Sequence, residues 1–192
     1  MRRLMRVTLA VAGMVGCMLL ASPSSSAQKL AKSIEIQAQA MGQSTQLGQT
    51  FNITLHIEEL STPEDQQALL AAFNEKKNEG LVNALNKMHT KGRMSITGTL
   101  GYDVAYIREW KEPDGSTKYR LVTNRPITFG EAWSDSRSMD YSLSGVEIIM
   151  WPDKKKNTGT LMPLVQLKMN KENKLELETY QNPWKLVNIM LR

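Results

Sequence analysis

Three carboxylates lie close together, at Glu131, Asp135 and Asp140, within the stretch RPITFGEAWSDSRSMDY. A pair of carboxyl groups is the catalytic unit of most glycoside hydrolases, where one group acts as the acid and the other as base or nucleophile. Two aromatic residues of the same stretch, Trp133 and Tyr141, are suited to stacking on a sugar ring. The stretch therefore supports the hypothesis of a hydrolase that acts on a saccharide or another polymer.

The same stretch also has the features of a packed corner. Arg125 precedes a proline, which favours an extended backbone, and Arg137 and Asp140 are spaced to form an ion pair. Perturbed charges occur in purely structural networks as well as in catalytic centres. We favour the corner over the catalytic centre, and we predict that it binds a ligand or partner through Arg125, Trp133, Arg137, Asp140 and Tyr141.

Residues that bind metals or activate nucleophiles are scarce in the chain. The two histidines, His56 and His89, form no His-x-His or His-Glu-x-x-His pattern. The chain also contains no Gly-x-Ser-x-Gly elbow and no glycine-rich phosphate loop. We therefore predict no metal site, no cofactor and a role in binding rather than in catalysis.

The first 27 residues have the three parts of a secretory signal peptide, namely basic MRRLMR, apolar VTLAVAGMVGCMLL and small ASPSSSA. The apolar run is shorter than the roughly 20 residues that span a bilayer, and we predict no transmembrane segment in the mature chain. Cleavage after Ala27 predicts a mature chain of residues 28–192 in the periplasm or outside the cell. Cys17 supports an alternative, a lipoprotein anchored at this cysteine, because MVGC resembles a lipoprotein box.

The charge of the mature chain is close to neutral. The full chain has a net charge of +5, and loss of the three arginines of the signal peptide lowers this value to +2. The one lysine cluster lies in WPDKKKNTG, a composition that is typical of a solvated turn. We predict no nucleic-acid partner, since such proteins carry a concentrated basic face. The length of the mature chain predicts one domain, and the absence of cysteine after Cys17 excludes disulfides from its core.

Short segments with a two-residue period dominate the mature chain. Apolar and polar residues alternate in SIEIQAQA and FNITLHIE, as expected of strands that are buried on one face. Seven further segments have strand character: GRMSITGTL, YDVAYIREW, TKYRLVTN, VEIIMW, TLMPLVQLKM, KLELETY and WKLVNIML. Pro163 places its strand at an edge or beside a bulge. The pattern predicts a mainly β (α+β) fold, an antiparallel β-sandwich or barrel of about eight or nine strands.

One segment, STPEDQQALLAAFNEKKNEGLVNALNKMHTKG, has a helical period instead. Thr62 is its predicted N-cap, followed by a proline and two acidic residues in the first turn. Gly80 separates an apolar stripe around Leu69 from a second stripe around Leu85. We predict a helical insert at about 63–90, either a kinked helix or a hairpin of two short helices, that packs on the sheet.

Three neighbouring motifs, GTLGYDVAYIREW, RPITFGEAW and RSMDY, resemble a recurrent pattern of exported bacterial proteins with no known activity. The resemblance covers about residues 92–141 and extends loosely to the C-terminal strands. It implies no activity and no catalytic residue. It does imply one structural unit, which would contain Arg108, Arg125, Pro126, Arg137, Asp140 and Tyr141.

Three functions are compatible with these observations. We favour a non-catalytic envelope protein that binds a partner or a small molecule at the corner between Arg125 and Tyr141. The first alternative is an envelope hydrolase that uses Glu131, Asp135 or Asp140. The second alternative is a barrel that carries an apolar ligand in its interior. The helix argues against this carrier, because lipocalins place their helix after the barrel and not between early strands.

Overall fold

The fold is given by a computed structural model, which describes residues 28–127, 142–169, 171, 175–180 and 182–192. These residues form nine strands, one long helix and two short 3-10 helices at Ser44–Gln46 and Lys154–Lys156. The elements are β1 (Gln28–Met41), β2 (Thr50–Leu60), α1 (Pro63–Lys87), β3 (Gly92–Ile96), β4 (Tyr102–Lys111), β5 (Thr117–Thr123), β6 (Leu143–Met150), β7 (Thr158–Met169), β8 (Leu175–Thr179) and β9 (Trp184–Leu191).

Eight of these strands close into an antiparallel barrel. Strands β1 to β7 pair in chain order, and β9 completes the ring because it pairs with both β7 and β1. The ninth strand, β8, pairs with β7 beside the barrel. The mainly β, antiparallel fold with one helical insert is therefore confirmed, and the architecture is a barrel rather than a sandwich.

The two-residue period of the sequence corresponds to the two sides of the barrel wall. Ile36, Ala38 and Ala40 of β1 are buried, and Ile36 lies opposite Leu55, which is buried in β2. A slip of one residue in this pairing would turn the apolar set of a strand toward water. The alternation therefore determines both the buried face and the register of the first hairpin.

The interior of the barrel is filled by side chains. Trp184 of β9 is only 1% exposed, and its ring centroid lies 4.8 Å from that of Phe51. Each barrel strand contributes buried apolar residues to this core, among them Ile36, Leu55, Met94, Ile107, Leu121, Ile148, Leu161 and Leu186. The barrel is closed by side-chain packing as well as by backbone hydrogen bonds.

Helix α1 begins with the capping residues that the sequence predicts. The Thr62 hydroxyl accepts a hydrogen bond from the Asp65 backbone N–H at 3.2 Å, and the Asp65 carboxylate accepts one from the Thr62 N–H at 2.8 Å. This reciprocal pair satisfies two donors that the helix cannot satisfy internally. The helix ends at Lys87, close to the predicted end at about residue 90.

Helix α1 folds back on itself. Lys76 and Lys77 leave the helical conformation, and Lys77 has φ 51° and ψ −135°. A Cβ atom added to Gly80 would lie 2.2 Å from the carbonyl oxygen of Ala72, so the two segments touch at this glycine. The predicted hairpin is therefore present, but its break lies at Lys76 and Lys77 and not at Gly80. The glycine serves close packing between the segments, since any side chain there would clash.

Both segments of α1 pack against the outer face of the barrel wall. A second apolar cluster joins them to the strands; its buried members are Leu69, Leu81, Leu85, Ala105, Val122, Leu143, Met162 and Val165. Asn78, just after the bend, accepts a hydrogen bond from the backbone N–H of Leu167 in β7 at 2.9 Å. The insert therefore covers one side of the barrel and is attached to it at its bend.

Strand β7 changes partner halfway along its length. Residues 159–161 pair with β9, and residues 165–169 pair with β8. Pro163 lies between these two segments, and a register shift interrupts the pairing with β6 at the same level. Because proline has no N–H to donate, this irregular position suits it, and the predicted bulge is confirmed.

Candidate ligand-binding site

A cleft of about 270 Å³ lies between α1 and the outer face of the barrel wall. Its apolar walls come from α1, β5, β7 and β8, and consist of Leu69, Leu70, Leu81, Leu85, Val122, Leu167 and Leu177. Four polar residues complete the lining, namely Gln66, Tyr106, Arg108 and Arg120. An apolar cavity with few polar groups is the usual form of a small-molecule site, and this one lies near the lower end of the usual range of about 300–1,000 Å³.

A bulge in β4 forms the part of the wall that faces the cleft. The register with β5 shifts between Val104 and Tyr106. Val104 and Ile107 belong to the barrel core, whereas Ala105 and Tyr106, which lie between them, pack with the outer cluster. Two successive residues thus share the outer face, which is the effect of a bulge on side-chain direction. Arg108 continues this face toward solvent.

Two arginines stand side by side at the exposed edge of the cleft. Arg108 lies directly opposite Arg120 in the ladder of β4 and β5, and each guanidinium is 5.5 Å from the ring centroid of Trp110. Arg120 forms an ion pair with Glu147 at 2.6 Å. Among the ion pairs of the described chain none involves Arg108. Cation–π contacts with Trp110 help to hold two like charges that would otherwise repel.

Tyr106 stands between the arginines and the apolar part of the cleft. Burial raises the pKa of its phenol, and the charges of Arg108 and Arg120 oppose this shift without reversing it. Tyr106 is therefore protonated at neutral pH and presents a neutral O–H group to the cleft.

A smaller groove of about 160 Å³ adjoins the cleft at the N-terminus of α1. The groove and the cleft share Gln66, Tyr106 and Arg108. Its remaining walls are mostly polar and are formed by Leu60, Ser61, Thr62, Pro63 and Glu109. Burial and the charge of the Glu109 carboxylate raise the pKa of Tyr119, which lies opposite Glu109 in the ladder of β4 and β5, to about 12. The two spaces together make a site with an apolar part and a polar part.

A buried ammonium group attaches the start of α1 to the barrel. Lys91, only 4% exposed, lies 2.9 Å from the Glu59 carboxylate of β2 and 3.1 Å from the Asp65 carboxylate of α1. Burial lowers the pKa of Lys91, but the hydrogen bonds to the two carboxylates and their charges outweigh it, so the pKa is raised. The ammonium is therefore charged at neutral pH and links the helix to the strand.

Arg125 is the one predicted binding residue that the structure describes. Its guanidinium lies 4.9 Å from the ring centroid of Tyr102 and donates a hydrogen bond to the Gly101 carbonyl oxygen at 3.0 Å. Tyr102 is the first residue of β4, and Arg108 lies six residues further along the same strand. At roughly 3.3 Å per residue the two positions are about 20 Å apart. Arg125 therefore does not line the cleft.

The described part of the predicted corner is tightly packed. The Thr123 hydroxyl donates a hydrogen bond to the Arg125 carbonyl oxygen at 2.6 Å, and the Ile127 N–H donates one to the Ser144 hydroxyl at 2.6 Å. Ile127 and Ser144 are both fully buried. These contacts fit the packed corner that the sequence favours over a catalytic centre.

The other predicted site residues lie outside the described part of the chain. They are Glu131, Trp133, Asp135, Arg137, Asp140 and Tyr141. Both the carboxylate-based hydrolase and the rest of the predicted binding surface accordingly stay predictions. Within the described ranges, no three residues of the metal-binding types come together as a metal site. A search of the same ranges for a helix able to cross a bilayer found none.

Sequence reasoning did not identify the cleft. The pattern that could have indicated its outer wall is VAYI in β4, where Val104, Ala105, Tyr106 and Ile107 follow one another without alternation. Such a run is typical of a strand that is covered on both faces. The resemblance groups Arg108 with Arg125 and Tyr141 in one structural unit, and no sequence feature connects Arg108 with Arg120.

Comparison of the chain with protein-family models, with characterised proteins and with solved structures found no significant match. The functional argument therefore depends on the geometry of the cleft and on the residues that line it.

Proposed function

We propose that the protein is a non-catalytic binding domain of the cell envelope, and that its ligand is a small molecule with an apolar part that binds between α1 and the barrel. The observation that carries the proposal is the cleft of about 270 Å³, which stays open between two apolar surfaces. Protein interiors contain few voids larger than a water molecule, because the lining of an empty void loses dispersion contacts. A ligand in the cleft restores those contacts.

The lining residues support binding rather than catalysis. The adjoining groove adds Ser61, Thr62 and Glu109 to the site. Of the eleven residues that line the cleft itself, seven are leucine or valine, and none is a histidine, cysteine, serine or carboxylate. These missing types are the usual nucleophiles and proton carriers of active sites. Tyr106, the one remaining group that could transfer a proton, has a raised pKa and keeps its proton at neutral pH.

The proposed site differs from that of a barrel carrier. Large side chains such as Trp184, Ile107 and Leu121 occupy the barrel interior, so the ligand would bind against the outside of the wall. The proposed location in the periplasm or outside the cell is supported by residues 1–27, whose basic, apolar and small-residue parts are those of a secretory signal.

The test uses N-phenyl-1-naphthylamine, a neutral dye that fluoresces in apolar surroundings. We expect the purified protein to bind it saturably and Leu70→Trp to weaken binding at least tenfold, because Leu70 lines the cleft and the larger ring would fill it. Leu47→Trp is the matched control, since Leu47 is 81% exposed and does not line the cleft. Melting curves establish that all three proteins are folded. Equal dye affinity of the two variants, or no saturable binding by the parent protein, would contradict the proposal.

A further inference from the structure

The polar end of the cleft contains an arginine that forms no ion pair with the described residues. Arg120 is paired with Glu147, whereas the described part of the chain offers Arg108 no ion pair. Asp65, whose charge acts on Tyr106, is bound to Lys91 and to the Thr62 N–H. The exposed guanidinium of Arg108 is open to a ligand, and guanidinium groups bind carboxylates and phosphates through charge-assisted hydrogen bonds.

The adjoining groove could accommodate the anionic group of a ligand. Arg108 and Tyr106 line both the cleft and the groove, so they stand where the apolar space meets the polar one. Arg108 supplies a positive charge. The neutral Tyr106 hydroxyl can donate a hydrogen bond to an oxygen atom of the ligand. Glu109 also lines the groove and keeps its negative charge, so the anionic group of a ligand would lie on the Arg108 side of the groove, away from Glu109.

We propose that the ligand is an amphipathic anion, a molecule with one short apolar chain and a terminal carboxylate or phosphate. The chain occupies the cleft beneath α1, and the anionic group lies in the groove against Arg108 and Tyr106. This assignment rests on the proposed function, because it uses the same cleft. Arg120 adds to the positive potential at the junction but keeps its own partner, Glu147.

The experiment compares three probes that share one apolar chain, namely decanol, decanoate and decyl phosphate, by isothermal titration at pH 7. We expect at least one of the two anions to bind at least tenfold more tightly than decanol, a preference equivalent to about 1.4 kcal/mol. Whichever anion binds more tightly distinguishes a carboxylate ligand from a phosphate ligand. All three affinities are measured below the concentration at which each probe aggregates.

Variants of two arginines, Arg108 and Arg93, test which residue causes the preference for the anions over decanol. Arg108→Gln should remove most of the preference for the anions over decanol, and we expect Arg108→Lys to restore part of that preference. Arg93→Gln is the matched control, since Arg93 is an exposed strand arginine with its own partner, Asp103, at 2.9 Å. We expect this control to keep the full preference.

The outcomes separate this inference from the proposed function. Equal binding of decanol and both anions, or an unchanged preference in Arg108→Gln, overturns the anionic ligand while the apolar site stands. Failure of all three probes to bind, together with failure of the neutral dye, overturns the binding site itself. Loss of preference in Arg93→Gln as well as in Arg108→Gln would show a general effect of surface charge and would also overturn the assignment.

Discussion

Replacement of Lys91 by methionine is the sharpest test of how α1 is held on the barrel. The Lys91 ammonium links β2 to the first turn of α1 through Glu59 and Asp65. Methionine keeps the length and apolar stem of lysine and removes the charge. The variant therefore leaves two neighbouring carboxylates without their shared cation.

The expected cost is about 3 kcal/mol of unfolding free energy. A hydrogen bond to a charged group contributes roughly 1.5–3 kcal/mol, and Lys91 makes two, at 2.9 and 3.1 Å. We take the lower value for each because Glu59 and Asp65 are 14% and 24% exposed and water stabilises them in part. For a domain of this size, each kcal/mol shifts the melting temperature by about 2–4 °C, so a fall of about 6–12 °C follows.

Urea unfolding followed by tryptophan fluorescence measures this cost. Lys118→Met is the matched control, because Lys118 contacts Glu112 at the same distance of 2.9 Å but both side chains are more exposed. We expect the control to lose less than about 1 kcal/mol. The reasoning fails if Lys91→Met costs no more than Lys118→Met.

The pH dependence of stability, measured for the parent protein and Lys91→Met, tests the direction of the Lys91 pKa shift. The folded-state pKa of Lys91 is raised, so its contribution to stability is complete below the ordinary value of 10.5 and is lost as the pH rises through the folded value. The stability difference between the parent protein and Lys91→Met should therefore be constant near neutral pH. On the alkaline side it should shrink above about pH 10.5.

Three further predictions concern the helix, a buried phenol and the N-terminus. Gly80→Ala should lower the unfolding free energy by about 1–3 kcal/mol in urea, because its Cβ would lie 2.2 Å from the Ala72 oxygen; a gain in stability, as helix propensity alone predicts, would contradict the hairpin. Burial and Glu109 raise the pKa of Tyr119 to about 12, so tyrosinate absorbance should show a tyrosine that titrates near pH 12. The pKa of Tyr106 is raised as well, and Glu109→Gln, which should lower the pKa of Tyr119, identifies the Tyr119 transition. Mass spectrometry of exported protein should find an N-terminus at Gln28; retention of residues 1–27 would refute the signal peptide.

Local pattern was sufficient to predict most elements of the fold but not the way the strands close. The alternation in β1 and β2 and the Thr62 cap of α1 are set by neighbours in the sequence, and the structure has them where the pattern places them. The pairing of β9 with both β1 and β7 joins segments that are far apart in the chain. No residue pattern within β9 encodes that choice, since it depends on the packing of the complete barrel.

The candidate site escaped sequence analysis for a related reason. Arg108 and Arg120 lie twelve residues apart on two strands of one hairpin, and they meet because their register places them opposite each other. Their apolar neighbours come from α1 and β8, whose positions beside the hairpin follow from tertiary packing. The sequence drew attention instead to the stretch that contains Arg125, where charged and aromatic residues are close together in the chain itself.

The attachment of α1 explains why the cleft stays open. Lys91 holds the start of the helix to β2, and Asn78 holds its bend to the backbone of Leu167. These two contacts fix the start of the helix and the residue just after its bend, so a closer approach of the helix to the wall would strain one of them. A site that is held open in this way binds its ligand with little loss of conformational entropy. Lys91→Met should therefore weaken dye binding even under conditions where the variant is fully folded, whereas Lys118→Met should not.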